Sequence, residues 1–110
     1  MTTVIFSHGQ ESGPWGTKIR SMAEKVRNLG CKADSVDYQG IADPTARVGK
    51  LRQVCADIDD PLILVGSSMG GHVATAAAES LGAVGLFVLA PAYFMEGFED
   101  LTPAPPSMPI

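Results

Sequence analysis

Three short apolar runs set what this chain can fold into: Val4-Ile5-Phe6, Leu62-Ile63-Leu64-Val65 and Leu86-Phe87-Val88-Leu89. None alternates with polar residues, as a strand with one wet face must, so each reads as a strand covered on both faces. The covering helices are legible between them. Ile19, Met22, Ala23, Val26 and Leu29 recur at spacings of three and four, and Gly30 stands where a C′ glycine ends a helix. Ala33 to Val36 reads as a further strand. Asp43-Pro44 supplies an N-cap and a proline for the first helical position. Val48, Leu51, Cys55 and Ile58 then form one apolar helix face, and Asp59-Asp60-Pro61 ends it. Gly70 to Leu81, built mostly of small residues, suits a helix pressed against a sheet, with Gly82 closing it. Strands and helices thus alternate, which predicts a three-layer α/β/α fold with a mostly parallel sheet and right-handed crossovers. A chain of 110 residues has room for one such domain and not two.

The turn after Leu62–Val65 carries chemistry. Gly66-Ser67-Ser68-Met69-Gly70 fits G-x-S-x-G and lies directly after a strand and before a helix. Glycines on either side of Ser68 relieve crowding at a sharp strand-to-helix reversal while its hydroxyl projects from the sheet's carboxyl edge. Ser68 is then a candidate nucleophile, and the N–H of Met69, at the mouth of the next helix, is the natural first donor to an oxyanion. The competing reading is a tight turn of small residues selected for packing, the role assigned to Ser67.

The first strand runs into a second loop, His8-Gly9-Gln10-Glu11-Ser12-Gly13-Pro14-Trp15-Gly16, rich in residues that let backbone approach a ligand. With the elbow and the small-residue helix, this loop resembles the α/β-hydrolase superfamily, above all its small, lidless bacterial serine esterases. The resemblance implies that the His-Gly-x loop supplies a second oxyanion donor. That donor falls on the Gln10 N–H, with Gly9 permitting the turn and His8 structural. It also implies that the first strand lies between the second and third. Gly9 and Ser68 would then face one crevice at a topological switch point, where open α/β sheets bind ligands. Trp15 either floors an acyl pocket or caps the core. The function implied is hydrolysis of small carboxylic esters through an acyl-serine intermediate, with no metal or organic cofactor.

A serine hydroxyl needs a base, and a base needs an orienting carboxylate. In the superfamily both follow the serine in sequence, histidine last. No histidine follows His72, which sits four residues past Ser68 on the next helix and is expected to point along that helix's flank in a packing or surface role. Glu96, Glu99 and Asp100 follow the fourth strand as solvated loop charges. The chain therefore reads as the front portion of a hydrolase domain, its sheet truncated after the fourth strand. Residues 102–110, with Pro103, Pro105, Pro106 and Pro109, form an extended tail. The last strand, Val84 to Leu89, wants a neighbour, either a complementing C-terminal segment or a second copy.

Two other classes compete. Gly9, Gly13 and Gly16 after the first strand and Asp37 after the second suggest a dinucleotide-binding half-fold, but the glycine spacing is too wide for G-x-G-x-x-G and Pro14 intrudes. Gly66 to Gly71 has P-loop glycine spacing, yet His72 stands where a lysine must reach phosphates. The other is a non-catalytic binding or assembly module that keeps the crevice without the base. A net charge of −4 with no Lys/Arg run speaks against nucleic acid. No apolar stretch approaches the roughly 20 residues of a membrane span, and Met1-Thr2-Thr3 enters the first strand without a basic leader, so a cytoplasmic setting is expected. Cys31 and Cys55 read as buried thiols.

Overall fold

The structure, a computed structural model, describes residues 1–9 and 12–89. Gln10, Glu96, Glu99, Asp100 and the expected tail 102–110 lie outside the described residues. The elements follow in order as β1 (Thr3–Ser7), α1 (Thr17–Asn28), β2 (Lys32–Val36), α2 (Pro44–Cys55), β3 (Leu62–Ser67), α3 (Met69–Ala78) and β4 (Gly85–Leu89). The four strands form one parallel sheet in the order β2-β1-β3-β4. The first strand does lie between the second and third.

Side-chain alternation along β1 and β3 divides the interior into two cores. Val4, Phe6 and Val65 pack with Ile19 and Ala23 of α1 on one face. On the other, Ile5, Leu62 and Leu64 pack with Val48 and Leu51 of α2 and Val73, Ala74, Ala77 and Ala78 of α3. A strand buried on both faces cannot alternate apolar with polar, which is why the runs of β1 and β3 looked continuous. The run in β4 departs from that expectation, with Leu86 buried and Phe87 60% exposed. Trp15 packs against the α1-side core, with the Arg27 guanidinium 5.3 Å from its ring centroid, so it caps that core.

Both glycines expected to stop helices do so by one mechanism. Gly30 and Gly82 have φ of +89° and +65°. Each sits at the C′ position of a Schellman closure, with Cys31 N–H donating to Val26 O and Gly30 N–H to Arg27 O in α1, and Ala83 N–H to Ala78 O and Gly82 N–H to Glu79 O in α3. The regular part of α3 ends at Ala78 and not at Leu81, and a last turn, in which Leu81 N–H still donates to Ala77 O, carries the chain on to Gly82. The helix α2 starts as expected, with the Asp43 carboxylate accepting from Thr45 N–H and Pro44 at the first position. It stops at Cys55, not at Ile58, which turns back so that its N–H meets Cys55 O. The aspartates that follow are poor helix formers and oppose the negative end of the helix dipole.

Candidate active site

Packing against backbone explains why the elbow needs its glycines. A Cβ on Gly66 would lie 2.2 Å from Gly70 O and 2.6 Å from Gly71 N, because the first turn of α3 folds directly back over the end of β3. A Cβ on Gly70 would lie 2.0 Å from Ser7 O and 2.7 Å from His8 O, because the same turn rests on the end of β1. Neither position has room for any side chain. Between them Ser68 takes φ 56° and ψ −120°, the one positive φ among described non-glycine residues. Such a conformation persists only when its surroundings over-determine it. Here Ser68 N–H donates to Leu89 O at 2.9 Å and Ser68 O accepts from Gly71 N–H at 2.9 Å. The Ser68 side chain is exposed and makes no capping bond to α3, while Met69 beside it is buried.

The β1 loop reaches the same place. A Cβ on Gly9 would sit 3.4 Å from Ser68 Cβ and 3.6 Å from Ser67 O, ordinary contact distances, so the two loops touch. Gly9 N–H donates to Ser12 Oγ at 3.0 Å. The structure thus brings Gly9 and Ser68 together at the carboxyl ends of β1 and β3. The proposed donor on Gln10 lies outside the described residues.

Beneath this contact is a buried polar group. His8 is fully buried, its Nδ1 2.7 Å from Gly9 O and its Nε2 2.8 Å from Tyr38 N. A backbone N–H can only donate, so Nε2 accepts, and Nδ1 carries the proton and donates to Gly9 O. Both nitrogens are occupied, and neither is turned to proton transfer. Tyr38 is also buried; its hydroxyl bonds Ser7 Oγ at 2.9 Å, and burial pushes its phenol upward. Arg47, which no sequence motif marks, is 1% exposed. Its Nε donates to Ile41 O at 2.7 Å, its NH1 to Gly9 O at 3.3 Å, and its guanidinium lies 5.3 Å from the Tyr38 ring centroid. A signal was available, since Arg47 stands four residues before Leu51, inside the buried stripe of α2.

Burial holds the His8 imidazole below its ordinary value against the raising effect of the Gly9 bond; Arg47 and Lys50 lower it further, and Asp37 opposes them. Protonation would also set an N–H against the Tyr38 N–H. The unfolded chain therefore binds this proton more readily than the native one. The His8 contribution is fully present above about pH 6.5 and is lost as pH falls from there toward the lowered native value. Thermal unfolding followed between pH 7.5 and 5 should show the midpoint dropping below pH 6.5, and His8→Gln should flatten that drop. An unchanged slope in the variant removes His8 as its source.

The other candidates fall elsewhere. His72 is buried within α3, 2% exposed. The Asp37 carboxylate accepts from Gln39 N–H at 2.9 Å and lies 3.8 Å from His8 Nε2. Gly13 lies against the Gln39 side chain, and α1 starts only after Gly16, so β1 leads into no glycine-rich helix start of dinucleotide type. Among the described residues no group of three or more His, Cys, Asp or Glu is placed to hold a metal, and no helix is long and apolar enough to cross a membrane. Both cysteines are free thiols; Cys55 is buried, which pushes its thiol up to about 11, and Cys31 is only partly so.

Comparison with known proteins bears on the fold that carries these residues. A family model described as the alpha/beta hydrolase family matches residues 4–110. A protein described as a hydrolase of the alpha/beta superfamily, from Xanthomonas campestris pv. campestris, superposes with a TM-score of 0.81 at 26% identity, covering 93% of this chain and 65% of its own. A second Xanthomonas campestris protein, an α/β serine hydrolase without a lid, gives 0.77 at 25% identity over 98% of this chain and 56% of its own. A pyrethroid hydrolase shares the fold at 18% identity, with a TM-score of 0.65 over 84% of this chain and 41% of its own. The chain spans less than two thirds of each of these structures. No curated protein matches the sequence.

Proposed function

The chain belongs to the alpha/beta hydrolase family, and from that premise we propose that Ser68 is the nucleophile of a serine hydrolase acting on small carboxylic esters. The Ser68 oxygen attacks the ester carbonyl carbon as its proton passes to a base. The carbonyl electron pair moves onto oxygen, where the N–H groups of Met69 and Gln10 stabilise it. Collapse expels the alcohol, which takes the proton, and leaves an acyl-serine that water cleaves to the acid. The observation that supports this reading most is the positive φ of an exposed Ser68 at the mouth of α3. Strain at that position serves packing poorly and presents a hydroxyl well.

The base is the open step. His8 is committed through both nitrogens, and the chain's other histidine is His72, inside α3. The test is intact mass after treatment with a fluorophosphonate probe. A single adduct, absent from Ser68→Ala, supports an activated nucleophile. No adduct favours the non-catalytic module that keeps the crevice without the base.

The fourth strand carries a second proposal. Phe87 is 60% exposed, and with Phe6, Met22, Val26, Val65 and Leu89 it lines an apolar cleft of about 310 Å³ on the α1 face. The 110-residue chain self-associates through this strand. Light scattering at micromolar concentration is expected to give a dimer or larger, weakened by Phe87→Lys; a monomer counts against it.

A further inference from the structure

We propose that Ser12 is a side-chain donor of the oxyanion hole: its hydroxyl, anchored on the Gly9 N–H, donates a hydrogen bond to the oxygen that turns negative when Ser68 attacks. This deepens the nucleophile reading of Ser68 and rests on it. The two serines border one point. Where a Gly9 Cβ would stand, Ser68 Cβ lies 3.4 Å away and Ser12 Oγ 3.5 Å away. Both residues are exposed, so a substrate can reach them at the carboxyl ends of β1 and β3. Once the Ser68 oxygen has joined the carbonyl carbon, only those two atoms separate the oxyanion from Ser68 Cβ. A donor bordering the same point is within reach of it.

The Ser12 hydroxyl has one half of its bonding in place. Its oxygen accepts from Gly9 N–H at 3.0 Å. That bond occupies a lone pair and leaves the proton, and among the described residues no acceptor takes it. An oxygen that accepts from an N–H is polarised into a stronger O–H donor. Anchoring also spares this serine most of the ordering entropy that an untethered surface side chain loses when it binds. Its anchor is itself held by the core. The fully buried His8 bonds Gly9 O through Nδ1 at 2.7 Å and Tyr38 N–H through Nε2, and the Arg47 NH1 reaches the same Gly9 O at 3.3 Å. The Ser12 oxygen is thus tied through Gly9 to the end of β1, in place before a substrate arrives, as stabilisation of developing charge requires.

The test separates donating a proton from merely holding the Gly9 N–H. The fluorophosphonate reaction at Ser68 yields a maximal labelling rate and an apparent affinity for the probe. Ser12→Ala should lower the maximal rate roughly tenfold with the affinity little changed, less than the loss of a fully enclosed oxyanion donor because Ser12 is exposed. Ser12→Thr keeps the hydroxyl and should label close to the wild-type rate. Ser12→Asp keeps an acceptor for Gly9 N–H but has no proton to give, whereas Ser12→Asn keeps both an acceptor and a donor. These two are compared in about 1 M salt, where a Debye length of roughly 3 Å screens the added charge. Ser12→Asp should then be as slow as Ser12→Ala, and Ser12→Asn clearly faster than either. A Ser12→Ala or Ser12→Asp protein that labels as fast as wild type, or a Ser12→Asn protein as slow as Ser12→Asp, overturns this proposal alone. A wild type that takes no label at Ser68 overturns the nucleophile reading, and the role of Ser12 falls with it.

Discussion

Replacing Gly70 by alanine should cost more than about 3 kcal/mol, beyond the usual range for overpacking, and leave little folded protein at room temperature. The new Cβ meets Ser7 O at 2.0 Å and Ser7 C at 2.5 Å, atoms of β1 itself. A flexible side chain could swing aside, but β1 is the second strand of the sheet, paired with β2 on one edge and β3 on the other. It cannot retreat without breaking a ladder. Gly66→Ala meets the backbone of Gly70 and Gly71 and should behave alike. Gly49→Ala gives the opposite sign: Gly49 is exposed in the middle of α2, a Cβ there meets nothing within 4 Å, and alanine should stabilise that helix by about 0.5–1 kcal/mol. Urea unfolding followed by circular dichroism measures all three. A Gly70→Ala protein as stable as wild type would sink the packing account of the elbow.

The same contrast marks how much of the molecule the sequence reveals. Gly30, Gly66, Gly70 and Gly82 could be assigned turns or closures because strand and helix patterns end at them, and the apolar runs of β1 and β3 could be assigned to doubly covered strands, whereas the same pattern in β4 leaves Phe87 exposed. Strand order could not be read from pattern, because a strand buried on both faces looks the same wherever it lies inside the sheet; it came from the family resemblance. Arg47 carried only a faint signal, for a different reason. Charged residues on helices are ordinarily solvated, and its four-residue spacing to Leu51 points inward only once the partners of its donors are known. The carbonyls of Gly9 and Ile41, which receive them, are backbone atoms without a sequence signature. The contact of Gly9 with Ser68 likewise joins residues far apart in the chain, and periodicity carries no information about it.

Ser68→Gly should make the protein more stable than Ser68→Ala by about 1 kcal/mol while both lose the probe adduct entirely. At φ 56° and ψ −120° the backbone of Ser68 lies near the mirror image of a polyproline conformation, where a Cβ is crowded and glycine is at ease. Strain of this kind costs on the order of 1–3 kcal/mol. Glycine also loses more entropy on folding, about 0.4–1 kcal/mol, so only part of the relief survives as net stability. Alanine keeps the Cβ and therefore the strain, which makes it the reference that differs from glycine in backbone and not in hydroxyl. Thermal unfolding of the two variants beside wild type, with intact mass after probe treatment, gives both readouts on the same samples. If Ser68→Gly is the less stable of the two, the conformation is not strained in solution and the elbow stores nothing. If it is the more stable, the protein tolerates a conformational cost at the one residue whose hydroxyl the proposed chemistry requires, and removing the cost removes the reaction.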